Sequence, residues 1–287
     1  MTYVKQLIAM FLLVVVVCSA PFMLYADEDE VHVEPERMVI LTVYLLEQIA
    51  DGSLGTYWVG NTERSIAQDI GPFALSSFRL LFFSVLIAVT ASLLFGLFLQ
   101  RFGVVRQLQR VLDVITTVPD FILILLAILG CIQFYKATGI QIISLSPFND
   151  STNNWLPLTI LSIGPTIFLM KGVSLKYAQI GGEDYIRTVL AKGMGIWHIL
   201  IHHVYKNVKP FLLADLKKTI AITVTNLFVV EYLLNVVGLT RFIFSKNADL
   251  QFNAAVMGLM GIILLSILVY VLIRAILYLF ERVFVYK

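Results

Sequence analysis

The sequence predicts an all-α, polytopic membrane protein with six transmembrane helices, and three observations carry that prediction. Hydrophobic residues fill 59% of the 287 positions and the mean hydropathy is +0.87, against roughly 45–50% apolar content in soluble domains. Six segments, 4–25, 76–99, 112–135, 156–175, 219–237 and 254–278, approach the about 20 apolar residues that a helix needs to cross a bilayer. The cations are sorted between these segments. Lys5, Arg101, Arg106, Arg110, Lys176, Arg187, Lys192, Lys206, Lys209, Lys217, Lys218, Arg282 and Lys287 share a side with the termini, whereas the loops of the other side hold Arg37, Arg64, Lys136, Arg241 and Lys246. An excess of Lys and Arg marks the cytoplasmic side, so both termini are expected in the cytosol. Cys18 and Cys131 each lie in an apolar run, which leaves neither a disulfide framework nor a cysteine metal motif.

The first run also imitates a secretory signal peptide, with Lys5, a short apolar core and Ala26. Pro21 directly after Cys18-Ser19-Ala20 spoils the best cleavage site, and residues 7–25 are long enough to span. Cleavage would leave five spans and an outer amino terminus. Next comes an outer segment, 26–75, opening on the acidic run Asp27-Glu28-Asp29-Glu30, which reads as a solvated loop. Within it Met38, Leu41, Leu45 and Ile49 recur at near-helical spacing, and Asp51-Gly52-Ser53 ends the pattern. A short amphipathic helix shielding part of the outer face is expected there. The connector 136–155, with Pro147, Asn149, Asp150, Asn153 and Asn154, is polar. No internal repeat divides the chain, so one membrane domain (76–287) preceded by a first helix and outer segment (1–75) is the simplest organisation.

The most informative stretch joins the fourth and fifth spans, about 176–218. Lipid cannot satisfy its polar groups, so it belongs in water. Glu183 and Asp184 sit where a helix start favours negative charge, and Ile186, Val189 and Leu190 give an apolar stripe. Gly193 and Gly195 then break the pattern. Ile196, Leu200 and Val204 follow at four-residue intervals with Ile199 alongside, and Asn207 and Pro210 close the second stretch. Two short helices joined at a glycine corner are expected, the corner needing a backbone that a side chain would resist. Physics alone leaves two uses open: docking a soluble partner, or lying on the membrane surface with Lys residues toward headgroups.

The run DYIRTVLAKGMG, followed by HHVYKN and Pro210, resembles the EAA loop of ABC importer permeases in the form carried by the dipeptide/oligopeptide/nickel family. That family reads D-Y-[VI]-R-T-A-x-A-K-G and then H-x-x-[RK]-N-x-x-P, and Asp184, Tyr185, Arg187, Thr188, Ala191, Lys192, Gly193, His203, Asn207 and Pro210 match. Val230-Glu231 with Gly238-Leu239 is similar to its V-E-x-x-F-x-x-P-G-L-G element, Asp51 to Gly55 to its G-D-L-G stretch, and Val118-Pro119-Asp120-Phe121 to its S-I-P-x-F. The chain departs from the pattern at Val237 in place of proline, at Leu234 in place of an aromatic, at Arg274 where an acid is common, and in lacking a terminal D-P-R. These departures bear on substrate class more than on architecture.

The resemblance implies a B-type permease with the type I ABC importer permease (MetI-like) fold, multi-pass in the plasma or inner membrane. Its loop helices, Ile196 and Leu200 included, would rest in a groove on an ATP-hydrolysing subunit, so that closure of the ATPase pair moves the permeases between inward-open and outward-open states. The implied partners are a second homologous permease subunit, two ABC ATPase subunits and an extracytoplasmic solute-binding protein, with the lipid bilayer around them and no nucleic acid. The chain has no G-x-x-x-x-G-K-[ST] loop, which places nucleotide chemistry on another chain. No enzyme activity and no cofactor are therefore expected here. The implied solute is a short peptide, with nickel or a nickel chelate as an alternative. A non-conducting assembly or sensory subunit would fit the altered Gly238 region, and a secondary transporter would leave the loop without a use.

Charges inside a membrane read as paired or functional. Arg79 and Glu231 lie near the outer ends of the second and fifth spans, at similar depth, and are expected to form an outer-gate pair. The bland reading has Arg79 snorkelling to headgroups and Glu231 facing a wet vestibule or a partner subunit. Asp120 has no clear place, Lys171 reads as snorkelling to the inner surface, and Lys217 and Lys218 mark the boundary of the fifth span. His198 and His202 have a metal-compatible spacing but lack the intervening Glu of H-E-x-x-H, so no metal site is expected.

Overall fold

The computed structural model describes residues 2–27, 30–100, 102–115, 118–140, 155–244 and 251–284. Glu28 and Asp29 of the acidic run, Arg101, Lys246, Lys287 and the connector residues Pro147, Asn149, Asp150, Asn153 and Asn154 lie outside them. The chain divides into two compact units, Met1–Ser77 with Val237–Leu265 and Phe78–Val236 with Ser266–Lys287.

In the first unit α1 (Thr2–Ser19) is followed by a 3-10 turn, Ala20–Met23, begun by Pro21. Strands β1 (Leu24–Asp27) and β2 (Glu30–Val33) then pair antiparallel, Leu24 opposite Val33. Helix α2 (Pro35–Ala50) opens on a proline, whose missing N–H costs nothing at a helix start. Leu45 is fully buried, and Met38, Leu41 and Ile49 are half-buried. The expected stripe is therefore the inward face of α2, and Gly52 (φ +76°) ends the helix as the sequence implied.

A second hairpin, β3 (Thr56–Val59) with β4 (Thr62–Ser65), follows. The Gln251 side-chain amide caps its edge, accepting from the Trp58 N–H at 2.7 Å and donating to the Trp58 carbonyl at 2.8 Å. The Tyr57 hydroxyl donates to Asp69 Oδ2 at 2.8 Å. Burial first, and then the Asp69 hydrogen bond and charge, push that hydroxyl up to about 12. The Tyr57 ring packs 5.0 Å from Phe242 of α10 (Leu239–Ile243), and Phe73 lies 5.5 Å from the same ring.

The second unit takes up α3 (Ile66–Leu93) from Phe78 onward. A π turn, Leu94–Phe98, continues α3 and is followed by α4 (Gly103–Ile115), α5 (Asp120–Thr138) and α6 (Trp155–Gly181). Then come α7 (Asp184–Ala191), α8 (Ile196–His198), a second π turn (Ile199–Tyr205) and α9 (Lys206–Leu233). Helix α11 (Phe252–Phe284) closes the chain and gives this unit its later part. The α6 and α9 helices share the largest helix interface. Leu156, Ile160 and Leu161 of α6, Leu227, Val230 and Leu234 at the end of α9, Leu80 and Ile124 form one apolar core.

Among the described residues, four helices are long and apolar enough to cross a membrane: Ile66–Phe98, Phe121–Thr138, Trp155–Gly181 and Phe252–Val283. This is a multi-pass membrane protein. The expected first span corresponds to the shorter apolar helix Ile8–Met23, and the expected fifth, 219–237, to the later part of α9, whose earlier part carries Lys206, Lys209, Lys217 and Lys218. Two boundaries differ from the sequence reading. The second helix begins ten residues before 76, at Ile66, because the β3–β4 hairpin delivers the chain straight into it. The third begins at Asp120 rather than 112, because Pro119 cannot continue a helix from its amino-terminal side and restricts Val118 as well.

Candidate functional site

The loop 176–218 folds as a helical hairpin. Helix α7 starts after Glu183, whose extended backbone (φ −70°, ψ 142°) precedes Asp184 in the first turn. Thr188 Oγ1 donates back to the Asp184 carbonyl at 3.0 Å, and Arg187 stands 3.6 Å from the Asp184 carboxylate. Both side chains of that ion pair are largely exposed, so it contributes little to stability. Ala191 ends the helix and Lys192 caps it, both exposed.

Gly193 then takes φ +77°, a left-handed backbone that only glycine adopts without strain. Its N–H donates to the Leu190 carbonyl at 3.0 Å, closing α7. Gly195, by contrast, is extended (φ −64°, ψ 144°) and serves as the N-cap of α8. The glycine corner stands where the sequence placed it, and Gly193 carries the turn.

The second arm differs from expectation in two ways. Asn207 and Pro210 do not close it, since the chain runs from α8 through the π turn into α9 without interruption. Pro210 removes one helical N–H, and it does so one turn after a segment whose ladder is already widened. The stripe of Ile196, Leu200 and Val204 is also split. Leu200 and Val204 are buried with Ile199, but Ile196 is 51% exposed. Ile196 stands in α8, ahead of the π turn that carries Leu200 and Val204, and its side chain faces outward. The first arm divides likewise, with Ile186 buried, Val189 half-buried and Leu190 exposed.

A polar clasp joins the two arms. Asn207 Nδ2 donates to the Tyr185 hydroxyl at 2.7 Å and to the His203 carbonyl at 3.0 Å, and the Tyr185 and His203 rings lie 6.5 Å apart. His198 and His202 stack at 4.1 Å between centroids; among the described residues no group of three or more His, Cys, Asp or Glu is placed to hold a metal. Tyr205, fully buried at the end of the π turn, has its hydroxyl pushed up to about 12 by burial and then by the Glu281 charge. The hairpin so held exposes Tyr185, Leu190, Met194, Ile196 and Trp197. Asn207→Ala removes both bonds of the clasp. It should speed amide exchange in 184–193 about tenfold, the equivalent of roughly 1.4 kcal/mol, as read by hydrogen-exchange mass spectrometry.

The proposed outer pair receives unlike surroundings: Arg79 is exposed, whereas Glu231 is fully buried. The turn after Glu231 is made by Asn235 (φ +53°), a residue type tolerated in the left-handed region. Beyond it, the Leu239 N–H donates to Ser77 Oγ at 2.8 Å.

Comparison with known proteins adds a family to this geometry. Residues 88–285 match the sequence model of the binding-protein-dependent transport system inner membrane component family. The chain is 26% identical over 185 residues to the dipeptide transport system permease protein DppB of Bacillus subtilis, covering 63% of this chain and 58% of that protein. It is 22% identical over 107 residues to the peptide transport system permease protein SapB of Haemophilus influenzae, covering 37% of this chain and 33% of that one. These matches thus span less than two thirds of either relative.

Proposed function

The chain belongs to the binding-protein-dependent transport system inner membrane component family, and on that premise we propose that it is one permease of an ATP-driven ABC importer for short peptides. It forms half of the translocation path, beside a second homologous permease. Of the complex's two ATPase subunits, one binds its loop 184–210 from the cytosol, where both termini lie, and a solute-binding protein delivers cargo from outside. The peptide assignment draws on the two relatives, a dipeptide and a peptide transport system permease.

One observation carries the coupling role. The hairpin is clasped from within by Asn207 and Tyr185, yet leaves Leu190, Met194 and Ile196 exposed. A rigid element that presents apolar side chains to water is suited to transmit displacement across an interface. A hairpin lying on lipid would present the same residues to the membrane instead.

Crosslinking separates the two. Met194→Cys, with Cys18 and Cys131 changed to Ala, should crosslink to an ATPase subunit in the native complex, and the yield should change on addition of ATP and vanadate. Labelling of Met194→Cys by lipid-restricted reagents alone, with no ATPase adduct, would sink the coupling role.

A further inference from the structure

Two contacts within the second unit tie the exit of the loop to the end of the last helix. Lys209, at the start of α9, forms an ion pair with Glu281, near the end of α11, and the two side chains are only 17% and 12% exposed. One turn earlier on the same face, the Tyr205 ring meets Phe280 edge-on at 5.4 Å. Further along, Lys217 Nζ sits 5.8 Å from the Tyr270 ring. Among the described residues, α9 and α11 meet through these long side chains rather than through close backbone packing.

A pair shielded from water is neither screened nor easily exchanged for hydration, so it fixes the register of the helices that carry it. The exposed Asp184–Arg187 pair has no such hold. Helix α9 is continuous with the loop through the π turn, so a push on the hairpin reaches Lys209 directly. We propose that Lys209 and Glu281 are positioning residues that deliver movement of the loop into the last span, so that α9 and α11 shift as one body. This rests on reading residues 176–218 as the coupling loop.

The test uses the full complex in nanodiscs, with Cys18 and Cys131 replaced by Ala and a spin label at Met194→Cys or at the exposed Val283→Cys. ATP with vanadate should change both signals in the parent. In Lys209→Met and in Glu281→Gln the Val283 response should fall about fivefold or more, while the Met194 response and ATPase copurification persist. The double variant Lys209→Met with Glu281→Gln leaves no buried charge unpaired and so guards against misfolding of the singles; it should lose the Val283 response as well. Exchange of the two charges, Lys209→Glu with Glu281→Lys, should restore it. A full Val283 response in the double variant overturns the joint. A Met194 label that ignores nucleotide defeats the coupling-loop reading and, with it, this proposal.

Discussion

Gly193→Arg should insert, fold and reach the membrane like the parent chain, yet lose transport and solute-stimulated ATP hydrolysis. The reasoning separates backbone from space. At φ +77° any side chain is strained, at a cost of about 1–2 kcal/mol, small beside the about 5–15 kcal/mol that holds a domain folded. A Cβ at this position meets nothing within 4 Å, so the rest of the arginine projects outward, beside Met194 and Ile196. That is where the ATPase groove is proposed to lie, and blocking a central contact costs about 2 kcal/mol or more, roughly 30-fold in affinity. Gly193→Asn provides the control, because Asn enters the left-handed region readily and is short; it should transport nearly as well as glycine. Gly193→Val should fall between the two, losing local order in 184–195 by hydrogen exchange. Normal peptide uptake by reconstituted Gly193→Arg complex would defeat the coupling role of this corner.

How far such a site was readable depends on the range of the interaction that makes it. The stripe Met38, Leu41, Leu45 and Ile49 was visible because an ordinary helix repeats on itself within one turn, and α2 buries Leu45 and half-buries the other three. The Gly193 corner was visible because a left-handed residue needs glycine whatever surrounds it. The β3–β4 hairpin had a signal, Gly60-Asn61 between Tyr57-Trp58-Val59 and Thr62, although no strand was expected in the outer segment. The π turn at Ile199–Tyr205 had none, since four-residue spacing of Ile196, Leu200 and Val204 describes an α-helix equally well. Lys209 and Glu281, separated by 72 positions, meet only because the fold brings the ends of α9 and α11 within reach of their long side chains. No local pattern could pair them. Glu231, singled out from the sequence, is fully buried, whereas the exposure of Arg79 depends on which face of α3 the fold covers.

A different glycine sits where two helices of the second unit approach closely. Gly96 is buried inside the π turn that ends α3. A Cβ there would stand 3.1 Å from Val173 Cγ1, 3.2 Å from the Met170 carbonyl oxygen and 3.2 Å from Ser174 Oγ. Val173 can turn, but the Met170 oxygen belongs to the backbone of α6 and moves only if that helix moves. Helix α6 is also the main partner of α9, so a shift made for residue 96 is passed to the core around Leu161 and Leu227. Gly96→Ala should therefore cost about 1–3 kcal/mol, lowering the thermal midpoint of purified protein by about 2–4 °C for each kcal/mol. Gly96→Leu places further carbons into the same wall and should abolish a monodisperse species in detergent. Gly130→Leu supplies the contrast: in α5, with nothing within 4 Å of its Cβ and an exposed position, the same substitution should leave midpoint and monodispersity unchanged. Equal behaviour of the two leucine variants would mean that α3 and α6 do not approach this closely at Gly96.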